Sequence, residues 1–337
     1  MHEAMFYEKT DGKNVKCRLC PRNCLIAEGK TGFCGVRKNF DGKLFSLVYG
    51  RPCSIAIDPI EKKPFFHFAP GSHSLSIATV GCNFRCKFCQ NWEISQEWKE
   101  VGGEYVEPEE IIKIAKNNNV DGLSYTYTEP TIFFEYAFDI MKLAKKEGFY
   151  NTWVSNGYTS TEAIKKMAKY LDAVNVDVKG DEKFYKEMCM VYDVKPILES
   201  LKAYKKYGVW VEVTNLIIPG KNDSDRTITK VVNWVKESLG EEYPLHFSAY
   251  FPQYKYRESP PTPVKLLEKA YQIAKKAGMK YVYTGNVPGH AYESTYCPKC
   301  GTKVIERVGF SVLSYSNRCP KCKTEILIKG KEWVKNL

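Results

Sequence analysis

From about residue 73 to 286, short apolar runs alternate with stretches in which apolar residues recur every three or four positions. The runs 74–81 (SLSIATVG), 122–128 (GLSYTYT), 150–156 (YNTWVSN), 173–179 (AVNVDVK), 209–218 (VWVEVTNLII), 244–251 (PLHFSAYF) and 280–286 (KYVYTGN) predict strands. The stretches between them predict crossover helices. In TPVKLLEKAYQIAKKAG, Thr262 is the expected N-cap, Pro263 suits the first helical position and Gly278 ends the run, with Leu266, Ala270 and Ala274 on one face beside Leu267 and Tyr271. Strands alternating with helices imply an α/β fold with a parallel sheet, and six or seven such units suggest a partial (β/α) barrel, an open doubly wound sheet being the other topology.

The pattern changes on either side of this core, giving three expected units: a Cys-rich metal-binding module at 1–50, the barrel core at 51–290 and a ribbon-like module at 291–337. The first carries Cys17, Cys20, Cys24 and Cys34 in KCRLCPRNCLIAEGKTGFCGVR, too short and too rich in Gly and Lys to bury a core of its own. A metal is therefore expected to nucleate it, as zinc or as an iron–sulfur cluster. In the last module Cys297 and Cys300 form one CxxC and Cys319 and Cys322 another, with eighteen residues between the pairs. That spacing predicts a four-thiolate knuckle site and favours a zinc ribbon over a rubredoxin-like iron centre of the same geometry.

The chain has 337 residues, 44% hydrophobic and 14% aromatic, enough for a proper core. No apolar run approaches a membrane span and the opening MHEAMFYEKTDGK lacks a signal peptide's apolar region, so a cytoplasmic protein is expected, with no membrane partner. Eleven of thirteen cysteines fall into three closely spaced groups, which in a reducing compartment points to metal ligands; only Cys53 and Cys189 stand alone, as buried small hydrophobes do. The net charge of +11 raises the possibility of nucleic acid, but the lysines sit beside glutamates on helices, a solvated face that argues against it.

The third group, Cys82, Cys86 and Cys89 in GCNFRCKFCQNW, is spaced CxxxCxxC directly after the first core strand. Three thiolates hold three irons of a 4Fe–4S cluster and leave the fourth open for chemistry, where an electron-transfer cluster uses four cysteines. A zinc site completed by a distant His, or a disulfide, are the plainer alternatives. At other strand ends stand further polar motifs: Thr128, Glu129 and Pro130, then Ser155, Asn156 and Gly157, then Asp177 and Lys179 alternating onto one face. Each has a structural reading too: Glu129 as a buried carboxylate, Asn156–Gly157 as a turn, Asp177–Lys179 as a buried ion pair. Gly102–Gly103–Glu104 precedes a helix instead of ending a strand and reads as a turn. His246 and the late tyrosines either line a substrate cavity or pack.

RPCSIAIDPIEKKPFFHFAPGS, GCNFRCKFCQNWEIS, YTYTEPTIFFEY, VSNGY, DVKG and YTGNVPG together resemble the AmmeMemoRadiSam-system radical S-adenosylmethionine (radical SAM) enzymes, relatives of the pyruvate formate-lyase activating enzymes. The resemblance implies a 4Fe–4S cluster on Cys82, Cys86 and Cys89 and SAM as cosubstrate. It implies SAM contacts from Thr128, Glu129, Ser155, Asn156, Asp177 and Lys179. It also implies an electron donor such as flavodoxin or ferredoxin, and association with AMMECR1-like and Memo-like proteins. The implied reaction is reductive cleavage of SAM to a 5′-deoxyadenosyl radical that abstracts hydrogen from a substrate, a glycine of a partner protein in the activases. Radical modification of a small molecule or of another protein side chain, and an RNA-binding or RNA-modifying role, are the alternatives. In activases with extra clusters, the additional cysteines follow the CxxxCxxC within the barrel; here four precede it and four follow in the ribbon.

Overall fold

A computed structural model describes residues 1–334. Its centre is an eight-stranded sheet made of β1 (Ser54–Pro59), β2 (His73–Ala78), β3 (Gly122–Tyr125), β4 (Tyr150–Ser155), β5 (Ala173–Asp177), β6 (Trp210–Ile217), β7 (Leu245–Ala249) and β8 (Val282–Gly285). The strands lie side by side in chain order, with β1 antiparallel to β2 and every later neighbour parallel. A doubly wound sheet reverses its order at a switch point. No reversal occurs here, which selects the partial (β/α) barrel.

All seven expected strands are present; β1 was not expected. Its Ile55 and Ile57 face outward, 36% and 46% exposed, while the polar Asp58 is buried, so its apolar pattern is the inverse of an ordinary edge strand. The crossovers carry α1 (Pro108–Asn117), α2 (Phe134–Lys146), α3 (Thr161–Met167), α4 (Lys195–Lys206), α5 (Asp225–Ser238) and α6 (Val264–Lys276). Ser160 and Ser224 cap α3 and α5 by accepting from Ala163 N and Thr227 N. At α6 the expectation is corrected: Pro263 holds the N-cap position, and Thr262 instead accepts from Tyr250 N and donates to the Ile217 carbonyl, tying β6 to β7. The buried stripe of α6 is Leu267, Ala270 and Ala274, with Leu266 only half-buried.

Side chains pointing inward are polar to an unusual degree. Ser124 on β3 donates to Ser74 on β2 (2.7 Å) and bonds Thr152 on β4 (2.6 Å), and Thr214 on β6 donates to Asn175 on β5 (2.9 Å). Barrel interiors are more often packed by bulky aliphatics.

The loop 60–72 crosses the base of the barrel. Glu212, fully buried on β6, accepts from the Phe66 and His67 amides and pairs with His246 on β7 at 2.8 Å. His67 Nδ1 faces the Leu327 carbonyl at 2.6 Å, an atom that can only accept, so Nδ1 carries the proton and Nε2 accepts from the Tyr283 hydroxyl. Arg307 donates to Thr295 Oγ1 (2.8 Å) and to the Phe66 carbonyl (2.7 Å). These bonds fasten the C-terminal segment to the barrel base and place His246 far from the strand ends where a substrate cavity was one expectation for it.

The N-terminal segment forms two small antiparallel sheets, one of Tyr7–Lys9, Val15–Cys17 and Leu25–Ile26, the other of His2–Glu3, Lys43–Ser46 and Arg37–Phe40. Its Val15, Leu19, Ile26, Val36, Leu44 and Val48 belong to the same buried cluster as the barrel and its helices. It gains its core by lying on the barrel.

Candidate radical SAM site

The C-terminal ends of β2 to β5 converge on the CxxxCxxC loop. Gly81, just after β2, adopts φ +100°, and a Cβ there would come within 2.8 Å of Val36 Cγ1 and 2.9 Å of the Cys34 carbonyl. Only glycine lets the chain turn into the loop beneath the N-terminal module. The loop is pinned by backbone bonds from Gly81 to Ile94 and from Arg85 and Lys87 to Cys189 and Met188. Arg85 also caps the Cys82 and Phe84 carbonyls at 2.8 Å, while Arg22 donates to the Asn83 carbonyl at 3.0 Å. Both guanidiniums lie against the Phe33 ring, at 3.9 and 4.4 Å from its centroid.

Each of the three thiols has a polar neighbour. Asn156 Nδ2 lies 3.9 Å from Cys82 Sγ, and Ser95 Oγ is 3.2 Å from Cys89 Sγ. Cys86 stands beside Lys179 and the thiol of Cys189; hydrogen bonding to Cys189 and burial push the Cys86 thiol well up. Among the described residues, no three of Cys82, Cys86, Cys89 and the N-terminal cysteines have sulfurs within 4.8 Å of one another, whereas Cys297, Cys300, Cys319 and Cys322 do. The wider triad suits a polynuclear group better than a single ion.

The other sequence-selected residues form a shell. Glu129, 2% exposed, accepts from Thr131 N (3.1 Å), Thr131 Oγ1 (2.6 Å), Ser155 Oγ (2.9 Å) and Asn156 N (2.8 Å). Burial raises its carboxyl above the usual range, with those bonds opposing. Thr128 donates to the Thr79 carbonyl at 2.8 Å, locking β3 to β2. Asn156 bonds Asn83 at 2.8 Å and accepts from Tyr158 N, and Gly157, at φ +75°, makes the turn. Lys179 reaches Asp177 at 2.5 Å; burial disfavours its charge, but Asp177 and the neighbouring thiols more than compensate and hold the ammonium protonated. Gly103, at φ +96°, turns before α1 as expected.

Sequence reasoning took Cys189 for a buried small hydrophobe, which its burial matches, and missed its contact with the cysteine loop. It is fully buried, closes a π-helical turn at Tyr185–Cys189 and touches Cys86. A π-turn leaves no periodic signal, and its thiol reaches the loop only through the fold.

In the ribbon, Cys297 Sγ lies 3.5 Å from Cys322 Sγ and Cys300 Sγ 3.5 Å from Cys319 Sγ. Zn–S bonds of about 2.3 Å in a tetrahedron put sulfurs about 3.8 Å apart, so the donor set fits a single tetrahedral ion. The two knuckles match bond for bond: Gly301 N and Lys323 N donate to the Cys297 and Cys319 carbonyls.

Residues 76–235, which hold the end of β2, the cysteine loop and β3 to β6, match the family model of the Radical SAM superfamily. Over 312 residues, 92% of this chain and 93% of the relative, the sequence is 49% identical to the uncharacterized protein MJ0808 of Methanocaldococcus jannaschii, and the chain belongs to the same family. It is 29% identical over 164 residues to a pyruvate formate-lyase-activating enzyme of Clostridium pasteurianum, covering 46% of this chain and 66% of that one. A radical SAM methyltransferase from Sphaerobacter thermophilus shares the fold with a TM-score of 0.52 at 15% identity, covering 64% of this chain and 67% of that one.

Proposed function

We propose that Cys82, Cys86 and Cys89 hold a 4Fe–4S cluster with one open iron, that SAM binds there, and that the protein abstracts hydrogen from a glycine of a partner protein. When bound, that pair supplies a one-electron reductive cleavage of the sulfonium and a 5′-deoxyadenosyl radical. The carrying observation is the triad's position at the top of β2, ringed by the polar ends of β3, β4 and β5.

The chain's own part is to orient and to shield. Asn156 and Ser95 tune the sulfurs by hydrogen bonding, the usual way a protein adjusts such a centre. Lys179, kept cationic by Asp177, suits the methionyl carboxylate of SAM. Glu129 serves as a positioning residue: its carboxylate is spent on Thr131, Ser155 and Asn156, and so fixes the β4 loop against the cysteines. A zinc ion on Cys297, Cys300, Cys319 and Cys322 would hold the ribbon at the barrel base, clear of the site.

Two features favour a protein substrate. The relatives named as activating enzymes align with the barrel, and loops at the triad's end expose Met190, Tyr192 and Phe251 at 42%, 71% and 44%. Large apolar groups left in water at one rim suit a docking partner. The test is anaerobic incubation of reduced protein, SAM and a candidate partner. A glycyl-radical signal by electron paramagnetic resonance on the partner supports the activase; 5′-deoxyadenosine without that signal points to a small molecule or another side chain.

A further inference from the structure

The four N-terminal thiols surround one enclosed space. Cys17 ends the strand Val15–Cys17, Cys20 and Cys24 lie on the turn that follows, and Cys34 precedes the strand Arg37–Phe40. Together they line a small pocket with about 20 Å³ of open space, shared with Arg22, Arg37 and Asn83. The ribbon of the same chain shows what a four-thiol site for one ion looks like, with sulfurs drawn together to 3.5 Å. The N-terminal thiols are arranged otherwise: among the described residues, no three of them have sulfurs within 4.8 Å of one another. Four thiols standing apart around one pocket suit a group of several metal atoms better than a single ion.

A second, independent feature lies in the wall. Arg37 is 2% exposed and is clamped through both terminal nitrogens by Glu135 at 2.8 and 2.9 Å and by the Met5 carbonyl at 2.7 Å. Its Nε–H is buried without any acceptor. An unmet buried donor is costly, so a cationic N–H left open beside the thiols of Cys17 and Cys34 calls for an anionic acceptor. Thiolate and inorganic sulfide are acceptors of that kind.

The cavity also touches the candidate radical site. Asn83 lines it and directly follows Cys82, so their Cα atoms are about 3.8 Å apart. The Asn83 carbonyl accepts from Arg22, another lining residue, and its side chain bonds Asn156, which lies 3.9 Å from Cys82 Sγ.

We infer that Cys17, Cys20, Cys24 and Cys34 ligate a second 4Fe–4S cluster, of the fully cysteine-ligated kind, and that it hands single electrons to the group on Cys82, Cys86 and Cys89. One electron enters from a flavodoxin- or ferredoxin-type donor, which is oxidised, and the same electron leaves toward the triad. The ligation stands on the N-terminal geometry alone; the relay rests also on the proposed function.

The test is metal and acid-labile sulfide analysis of anaerobically purified full-length protein, wild type beside the Cys82→Ala/Cys86→Ala/Cys89→Ala variant. About four irons and four sulfides per chain in the variant and about eight of each in the wild type are expected. Zinc without sulfide in the variant overturns the second cluster, and should that variant not fold, a Cys20→Ala/Cys24→Ala variant that keeps as many sulfides as the wild type does so. About four sulfides in both proteins supports the second cluster and sinks the reading of the triad instead. For the relay, dithionite-reduced wild type should show a resonance spectrum broadened by coupling between neighbouring spins and absent from the variant. A wild-type spectrum that is a plain sum of two isolated clusters overturns the relay.

Discussion

Glu129 shows how one side chain carries both a structural and a functional reading. Oε1 accepts from Thr131 N, Thr131 Oγ1 and Ser155 Oγ and Oε2 from Asn156 N, so the carboxylate fixes the placing of Ser155 and Asn156. Glu129→Gln keeps the shape but turns an amide N–H₂ toward a donor, at a cost of about 1–3 kcal/mol, so thermal unfolding should move to lower temperature. An unchanged midpoint would contradict the assignment. Gly81→Ala should destabilise by a similar amount, because a Cβ at φ +100° meets Val36 and the Cys34 carbonyl; urea unfolding measures it. His67 sets a pH dependence. Burial lowers its pKa to about 4, with Glu212 opposing and Arg307 and His246 reinforcing, against about 6.5 in the unfolded chain. The unfolded chain therefore takes up the proton first as pH falls. The stability is present above about 6.5 and is lost toward 4, by about 3 kcal/mol in full. Wild type should thus lose stability relative to His67→Gln between pH 7 and 4.5, and parallel profiles would refute this. The triad and the strand-end polar residues were legible because spacing and strand alternation are local. Cys189, Arg37 and the Glu212–His246 pair were not, because their partners lie far away in sequence.

At the level of strands and modules, periodicity located all seven parallel strands, since each is buried on both faces and reads as an apolar run. It missed β1, where exposed Ile55 and Ile57 and buried Asp58 invert the signal and Pro59 ends the strand. Topology was not legible in strand count; it needed the neighbour order. The four-thiol cluster was legible from its paired CxxC motifs, whereas the anchoring of that segment through Arg307 and Leu327 was not. If one ion organises the knuckles, Cys319→Ser or strong chelation should loosen residues 295–328, read as faster hydrogen exchange there and at Phe66 and His67. Exchange confined to the knuckles would mean that the base network holds without metal.

Across the whole molecule, two cysteine-rich ends bracket one barrel from opposite sides. The N-terminal segment lies over the strand tops near the triad, the ribbon beneath the base. Among the described residues no helix is long and apolar enough to cross a membrane. The charge of +11 is spread through ion pairs such as Lys116–Glu147 and Lys230–Glu182, so RNA binding at moderate salt should be absent; a steep salt-dependent affinity would reopen that reading. The proposed activity turns on the triad, and the most direct measurement is 5′-deoxyadenosine formed from SAM by oxygen-free, dithionite-reduced protein. Formation by the wild type and its loss in Cys86→Ala is the predicted result; a fully iron-loaded wild type that leaves SAM intact would contradict it.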